Sequence, residues 1–376
     1  MAKSRPERRD AVNIDEIINV FRIDVDSLER LRVPGLRKTT GVYRVRRPDL
    51  IEDLYIVDTP DGRDIACNPH LVGRSLQSSC FRSAVEAAKA IEFLVGLSKR
   101  EAVVFEHVLR AGPGYELHDA LRALYPKLKV REVWIRPYYT TPSYRDHGVD
   151  LRKLEVKYEN FKALPSNKDM VLLKPDTEAT GMSGERSIER AVEEAEKVGS
   201  RIDAVVLYGF ISQEALKLLN RVAEKHSFKL IAFAMEDVME LAHNKYDMPM
   251  YGLDLSYWED FQRIRKLSSI APISVLEACL PTFVPGSDQP GDFSSRQSLL
   301  FNGTGWEHGT IFCHLANSIR LIRDLQMISK DEPWYEHDEI IKRKLNALYM
   351  TLLSYIPHAC LYPKKALSCL NNLLFR

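Results

Sequence analysis

The chain has 376 residues, 45% of them hydrophobic and 28% charged, with a formal net charge of +1. That hydrophobic share excludes a disordered polyelectrolyte, and the near-neutral balance supplies no global basic field for nucleic acid. The length admits more than one core.

The first ten residues are basic and polar (Lys3, Arg5, Arg8, Arg9) and lack the apolar stretch of a secretory leader, so a cytoplasmic chain is expected. Apolar spacing predicts a helix from Ile14 to Leu31, ended by Pro34 and Gly35, after which β-branched residues take over in "VPGLRKTTGVYRV". Six cysteines (Cys67, Cys80, Cys279, Cys313, Cys360, Cys369) are scattered without a CxxC pair, which speaks against a zinc module or a dense disulfide framework and suits a reducing compartment. "CNPH" sets Cys67 three residues before His70, but no second pair with ligand spacing follows. A second helix is expected over 81–98, where Phe81, Val85, Ala88, Ile91 and Leu94 recur at helical spacing.

From there short apolar runs alternate with amphipathic helices. Strands are predicted at "AVVF" from 102, "VREVWI" from 130, "MVLL" from 170, "DAVVLYGF" from 203 and "KLIAFA" from 229, with helices near 114–124, 185–198 and 212–225. Unalternated β-branched runs separated by helices imply a parallel sheet buried on both faces, an α/β fold. Residues 281–309, rich in Pro, Gly and Ser, read as an irregular connection. Helical spacing then returns over Ile311, Leu315, Ile319, Ile322 and Leu325 and again over 336–356. Leu345 to Ile356 is too short to span a bilayer and is expected as a core helix. The expected divisions are an N-terminal helix and β extension over 1–64, an α/β domain over 65–261 and a mainly helical region over 262–376.

The chemistry concentrates in "LLKPDTEATGMSGERS", residues 172–187, an apolar strand that ends in acids and small polar residues before a charged helix. Ligands of open parallel sheets sit at strand carboxyl ends, where the loop entering the next helix offers free backbone N–H groups. Gly181 and Gly184 let that backbone curl around an anion, while Thr180 and Ser183 add hydroxyls. Asp176, with Glu178 as a lesser candidate, suits ribose hydroxyls or the magnesium that accompanies a polyphosphate. An ordinary capped strand-to-helix turn has the same composition.

"KPDTEATGMS" resembles the phosphoribosyl-diphosphate (PRPP) loop of type I phosphoribosyltransferases, and further segments are similar to uracil phosphoribosyltransferase in the matching order. "VLRAGPG" at 108–114 resembles that family's diphosphate-contacting segment, "YRDHGVDLRKLEVKYENFKALP" at 144–165 its mobile loop, and "NKYDMPMYGLD" at 244–254 its uracil-binding segment. "NPHLVGRSLQSSCFRSAV" at 68–85 is similar to its opening segment. The likeness covers roughly residues 65–260 and departs from the family at Lys174-Pro175, where an acid is usual, at Met250 in place of glycine, and at Leu253, which looks inserted.

The resemblance implies a phosphoribosyltransferase-like sheet and a reaction in which a ring nitrogen displaces diphosphate from PRPP. It implies PRPP contacts from Arg110, Ala111 and Gly112 and from Asp176, Thr177, Glu178, Ala179, Thr180, Gly181, Met182, Ser183 and Gly184. Arg110 and Asp176 would be catalytic, Asp176 with magnesium; Tyr144, Arg145, Lys153 and Lys157 would lie on the flexible loop. Tyr246, Asp247, Tyr251, Gly252 and Asp254 would bind the base, with uracil the expected acceptor. Ala179 stands where purine-using relatives often place an aspartate, so this loop offers no general base, which favours a pyrimidine lactam. The alternatives are a non-catalytic PRPP or nucleotide sensor and a transferase with another acceptor. A homodimer is expected.

Overall fold

The computed structural model describes residues 13–139, 154–257 and 265–359. Helix α1 (Ile14–Phe21) is capped by the Asn13 side chain, which accepts the Asp15 N–H, and ends where Arg22 turns left-handed at φ 57°. The expected helix to Leu31 therefore stops ten residues early, and its tail becomes strand β1 (Leu28–Leu31), paired antiparallel with β2 (Gly41–Val45). Pairing outweighs local periodicity there. After β3 (Asp53–Asp58) come α2 (Pro60–Cys67), α3 (Gly73–Val95), β4 (Ala102–Val108), α4 (Leu117–Leu124), β5 (Val130–Tyr139) and β6 (Leu154–Asn160). The series continues with β7 (Asp169–Pro175), α5 (Met182–Lys197), β8 (Arg201–Ser212), α6 (Gln213–His226) and β9 (Lys229–Met239).

These strands form a nine-stranded sheet in the order β1-β2-β3-β9-β8-β7-β4-β5-β6. Neighbours from β3 through β9, β8, β7 and β4 to β5 are parallel, while β1, β2 and β6 extend the edges in antiparallel fashion. The predicted strands are all present, and each is longer than its apolar run. Burial alternates between two covers: Val103, Phe105, Leu173 and Val206 pack under α2, α3 and α4, and Val104, Leu172, Val205 and Leu207 under α5 and α6. Both faces are dry, which is why the runs show no polar alternation.

The topology fixes where a ligand can sit. From β4 the chain moves outward to β5, returns to β7 on the other side of β4, and continues through β8 to β9. The β4–β7 boundary is thus the switch point, where successive connections leave in opposite directions and open a crevice at the strand carboxyl ends.

The remaining elements are β10 (Tyr251–Leu253), β11 (Lys266–Ser268), α7 (Ile273–Cys279), α8 (Phe293–Arg296), the hairpin β12 (Leu299–Phe301) and β13 (Trp306–His308), α9 (Ile311–Ser329) and α10 (Asp338–Ala359). The stretch expected to be irregular thus holds a short helix and a hairpin. A third core joins Ile17 and Phe21 of α1 to Tyr251, Leu276, Phe283, Leu315, Ile322 and Leu348. The boundary drawn at residue 64 consequently separates no independent cores, since β1–β3 belong to the main sheet and α1 packs with the C-terminal helices. α10 is amphipathic rather than buried throughout: Leu348 is covered, while Met350 and Leu353 are 69% and 58% exposed. Among the described residues no helix is long and apolar enough to cross a membrane. Cys67, Cys80 and Cys279 are free thiols and Cys313 is disulfide-bonded, a bond that the scatter of cysteines did not announce.

Two buried cations fasten the C-terminal region to the sheet. The fully buried Arg296 guanidinium donates to the carbonyls of Ile65, Asn68 and Leu71 (3.1 Å each) and of Pro290 (2.9 Å). Lys344 of α10 donates to the Cys67 carbonyl at 2.9 Å and to Asn68 Oδ1 at 2.5 Å. Between them they satisfy the Ile65 and Cys67 carbonyls at the α2 C-terminus, where the helix dipole favours positive charge. Burial lowers the Arg296 pKa to about 10, so it stays charged at neutral pH. Arg296→Met, which keeps the bulk but strands those carbonyls, is expected to lower the unfolding free energy by roughly 3 kcal/mol. Urea denaturation would measure this, and a loss below about 1 kcal/mol would contradict the role.

Candidate active site at the switch point

A cleft of about 270 Å³ opens over the β4–β7 boundary. One wall is the turn after β4, with Val108, Leu109, Arg110 and Ala111. Its Leu109–Arg110 peptide bond is cis. Gly112 follows, pressed so close to the end of β7 that a Cβ would lie 2.7 Å from the Pro175 carbonyl oxygen. The floor is the loop from Asp176 to Gly181, with Ser183. Here the Glu178 N–H bonds the Phe210 carbonyl (2.9 Å) and the Ser212 N–H bonds the Glu178 carbonyl (2.9 Å), so the loop first prolongs the β7–β8 ladder. Gly181 then turns at φ +79°, close enough to α6 that a Cβ would meet Ala215 Cα at 3.0 Å. It caps α5, and the first-turn amides of Met182, Ser183 and Gly184 begin there.

The far wall comes from Lys245, Tyr246 and Met248 and from Pro290 to Ser294 of the C-terminal region. Asn244 Oδ1 accepts the N–H groups of Tyr246 and Asp247, both at 3.0 Å, folding that segment into a tight turn. Asp288 accepts the Met248 N–H at 2.9 Å, and Gln289 Nε2 donates to both Asp237 oxygens at 3.0 and 3.1 Å, tying the wall to β9. The Tyr115 ring stacks on Phe293 at 4.3 Å between centroids, and its hydroxyl lies 2.5 Å from Thr177 Oγ1.

Of the residues singled out in the sequence, Arg110, Ala111, Asp176, Thr177, Glu178, Ala179, Thr180, Gly181, Ser183 and Tyr246 line this one cleft. Gly112, Met182 and Gly184 lie in the backbone behind it. Tyr251, Gly252 and Asp254 do not reach it, which corrects their expected place in a base pocket. The Tyr251 ring is fully buried between Phe21 (5.3 Å) and Phe283 (5.2 Å). Gly252 lies in β10 at φ +142°, where a Cβ would strike Gly286 N at 1.9 Å. Asp254 accepts the N–H groups of His243 (2.8 Å) and Ser256 (3.0 Å). Asp247 lines a separate small cavity beside His314. Lys157 stands in the edge strand β6, its ammonium 3.1 Å from the Tyr138 ring centroid, not in a loop. Tyr144, Arg145 and Lys153 lie outside the described residues. Pro137, Tyr139, Lys245, Met248 and Pro290–Ser294 were not anticipated.

The C-terminal hairpin reaches the cleft through charge. Arg110 Nη1 donates to Glu307 Oε1 of β13. Arg136 donates to the Asn302 carbonyl at 3.1 Å, and Gln297 donates to the Ala111 carbonyl at 3.3 Å.

No family model matches the sequence, and no curated relative does. Solved structures similar to it include adenine phosphoribosyltransferase from Thermoanaerobacter pseudethanolicus, with 15% identity over 59% of this chain and 99% of that chain and a TM-score of 0.27. Another is adenine phosphoribosyl transferase from Trypanosoma brucei in complex with AMP, pyrophosphate and ribose-5-phosphate, with 13% identity over 50% and 85% of the two chains and a TM-score of 0.31. A third is orotate phosphoribosyltransferase from Francisella tularensis, with 12% identity over 41% of this chain, 64% of that chain and a TM-score of 0.26.

Beneath the cleft lies a buried charge cluster. The Lys174 ammonium, fully buried, donates to Glu178 Oε1 and lies 3.4 Å from Asp176 Oδ2. Burial alone would lower the Lys174 pKa, but the charges of Glu178, Asp176 and Glu106 outweigh it and raise the value. Burial pushes Glu178 and Glu106 up to about 7 and raises Asp176, with Lys174 opposing in each case. Asp176 Oδ1 also accepts the Thr177 N–H at 2.8 Å. Magnesium demands near-octahedral oxygen ligation at about 2.0–2.1 Å. A carboxylate already held by an amide and facing an ammonium does not fit a magnesium ion resident without substrate.

A carboxyl whose folded pKa is raised favours the fold when protonated. Its penalty is absent below the ordinary Glu106 value of 4.5 and grows as pH rises toward about 7. Glu106→Gln is expected to add roughly 1–3 kcal/mol of stability at pH 8 and little at pH 4.5. Urea titrations at the two pH values would test this; a wild-type and variant difference that does not change with pH would contradict it.

Proposed function

We propose that the chain is a PRPP-dependent phosphoribosyltransferase. The observation that carries the proposal is the juxtaposition, at the switch point of a parallel sheet, of Arg110 after β4 with the 176–184 loop that opens α5. The backbone amides from Thr180 to Gly184, with the Thr180 and Ser183 hydroxyls, would hold the 5′-phosphate. Arg110 would meet the diphosphate through a guanidinium fork and stabilise the negative charge that grows as the bond to ribose C1 breaks. Asp176, fixed by Lys174 and the Thr177 amide, would accept ribose hydroxyls. Magnesium would enter chelated by PRPP, as part of the substrate.

Tyr246, Tyr139 and Phe293 line the cleft and offer flat apolar surface for the acceptor ring. Ala179 offers no carboxylate, and the neighbouring Asp176 and Glu178 carboxylates are engaged by Lys174, so an acceptor that needs little proton abstraction, uracil first, is the one proposed. The chain would act in the cytoplasm as a homodimer. The Arg110–Glu307 contact favours a second reading, a PRPP sensor whose C-terminal region responds to the ligand, because diphosphate and Glu307 compete for one guanidinium.

Diphosphate release with PRPP, magnesium and a panel of free bases would separate these readings. Release with uracil, lost on Arg110→Ala, is the expected result; PRPP binding without release for any base would favour the sensor. Neither binding nor release would end both. Glu307→Gln, which frees Arg110 from a half-exposed ion pair, should tighten PRPP binding by up to about fivefold, in line with roughly 1 kcal/mol for such a pair. Calorimetry on wild type and variant would show it, and unchanged or weaker binding would contradict the competition.

A further inference from the structure

A cluster on the α4 side of the sheet lies outside the cleft. His107 stands near the end of β4, His118 near the start of α4, and Glu132 in β5. His107 Nε2 lies 3.0 Å from Glu132 Oε2 and His118 Nε2 lies 3.3 Å from Glu132 Oε1. One ligand atom from each of the three falls within 4.8 Å of the others. A tetrahedral ion with bonds of about 2.0–2.1 Å sets its ligand atoms about 3.3 Å apart, the scale of the two imidazole–carboxylate distances.

The rings are oriented before any ion arrives. His107 is 4% exposed and stacks on Trp134 at 3.9 Å and 15°. His118 meets Phe105 edge-on at 5.1 Å and His107 at 5.3 Å. The buried Nδ1 of His107 has no hydrogen-bond partner, so the ring's polar connection runs through Nε2 into the cluster. Behind His118, Nδ1 faces Asp119 Oδ1 at 3.8 Å, placing a carboxylate where metal-bound imidazoles commonly find one. Glu132 is 35% exposed in its side chain and gives an entry path from solvent.

We propose that His107, His118 and Glu132 form a zinc site with a fourth position left to water. Two imidazoles and one carboxylate suit zinc, whereas magnesium and calcium prefer oxygen alone. The ion would tie α4 to β4 and β5 at the base of the turn that carries Arg110. This assignment does not depend on what the cleft binds.

The test is calorimetric titration of the metal-free full chain with zinc chloride, repeated on His118→Ala and Glu132→Gln, whose side chains are 12% and 35% exposed. Wild type is expected to bind one equivalent, and each variant to bind at least about tenfold more weakly, the scale at which even supporting residues affect metal affinity. Cobalt, added in place of zinc, should give wild type the visible absorption of a low-coordinate N/O site. Absence of one-equivalent binding by wild type would overturn the assignment. So would undiminished affinity in either variant.

Discussion

The rest of the structure depends on one topological constraint, the reversal of strand order between β4 and β7. Because connections depart from this boundary in opposite directions, neither helical layer covers the crevice between the two strand ends. The turn after β4 and the loop after β7 must therefore face one another. Close packing makes the approach tight: Gly112 touches the Pro175 carbonyl, and Gly209 leaves room for the Asp176 carbonyl oxygen, which would lie 2.2 Å from a Cβ. The cleft is a consequence of chain path before it is one of side-chain chemistry.

The C-terminal region completes that crevice. It is fastened through Arg296 and Lys344 to the carbonyls that end α2, a use of helix-end polarity that places cations where unpaired oxygens lie. With those anchors set, Phe293 stacks on Tyr115, and Glu307 reaches Arg110. The lower charge layer obeys a different logic. Lys174 neutralises carboxylates that could not stay ionised alone beneath α5, so the acids of the floor are held from within the sheet.

Much of this was legible in the sequence. Unalternated apolar runs between amphipathic helices announced the buried parallel sheet, and "ATGMSG" after an apolar strand announced the loop at the α5 N-terminus. Arg110 is implied by the likeness of "VLRAGPG" to a diphosphate-contacting segment, and the structure puts it in the same cleft as that loop. Tyr251, Gly252 and Asp254 were misplaced because a proline- and aromatic-rich segment packs as readily as it binds; here Phe21 and Phe283, distant in sequence, enclose the Tyr251 ring. The wall from Pro290 to Ser294 carried no local signal, since its position follows from Arg296 reaching carbonyls more than two hundred residues earlier. Lys174 stood out as an oddity where a resembling family has an acid nearby, and only the fold shows it directed into the carboxylate cluster.

The central claim is that PRPP occupies the switch-point cleft, and hydrogen–deuterium exchange with and without PRPP and magnesium tests it most directly. The account predicts slowed exchange in the amides of residues 110–112 and 177–184, with residues 251–254 unchanged. Exchange unaltered in the first two segments at saturating ligand, or protection confined to 251–254, would contradict it.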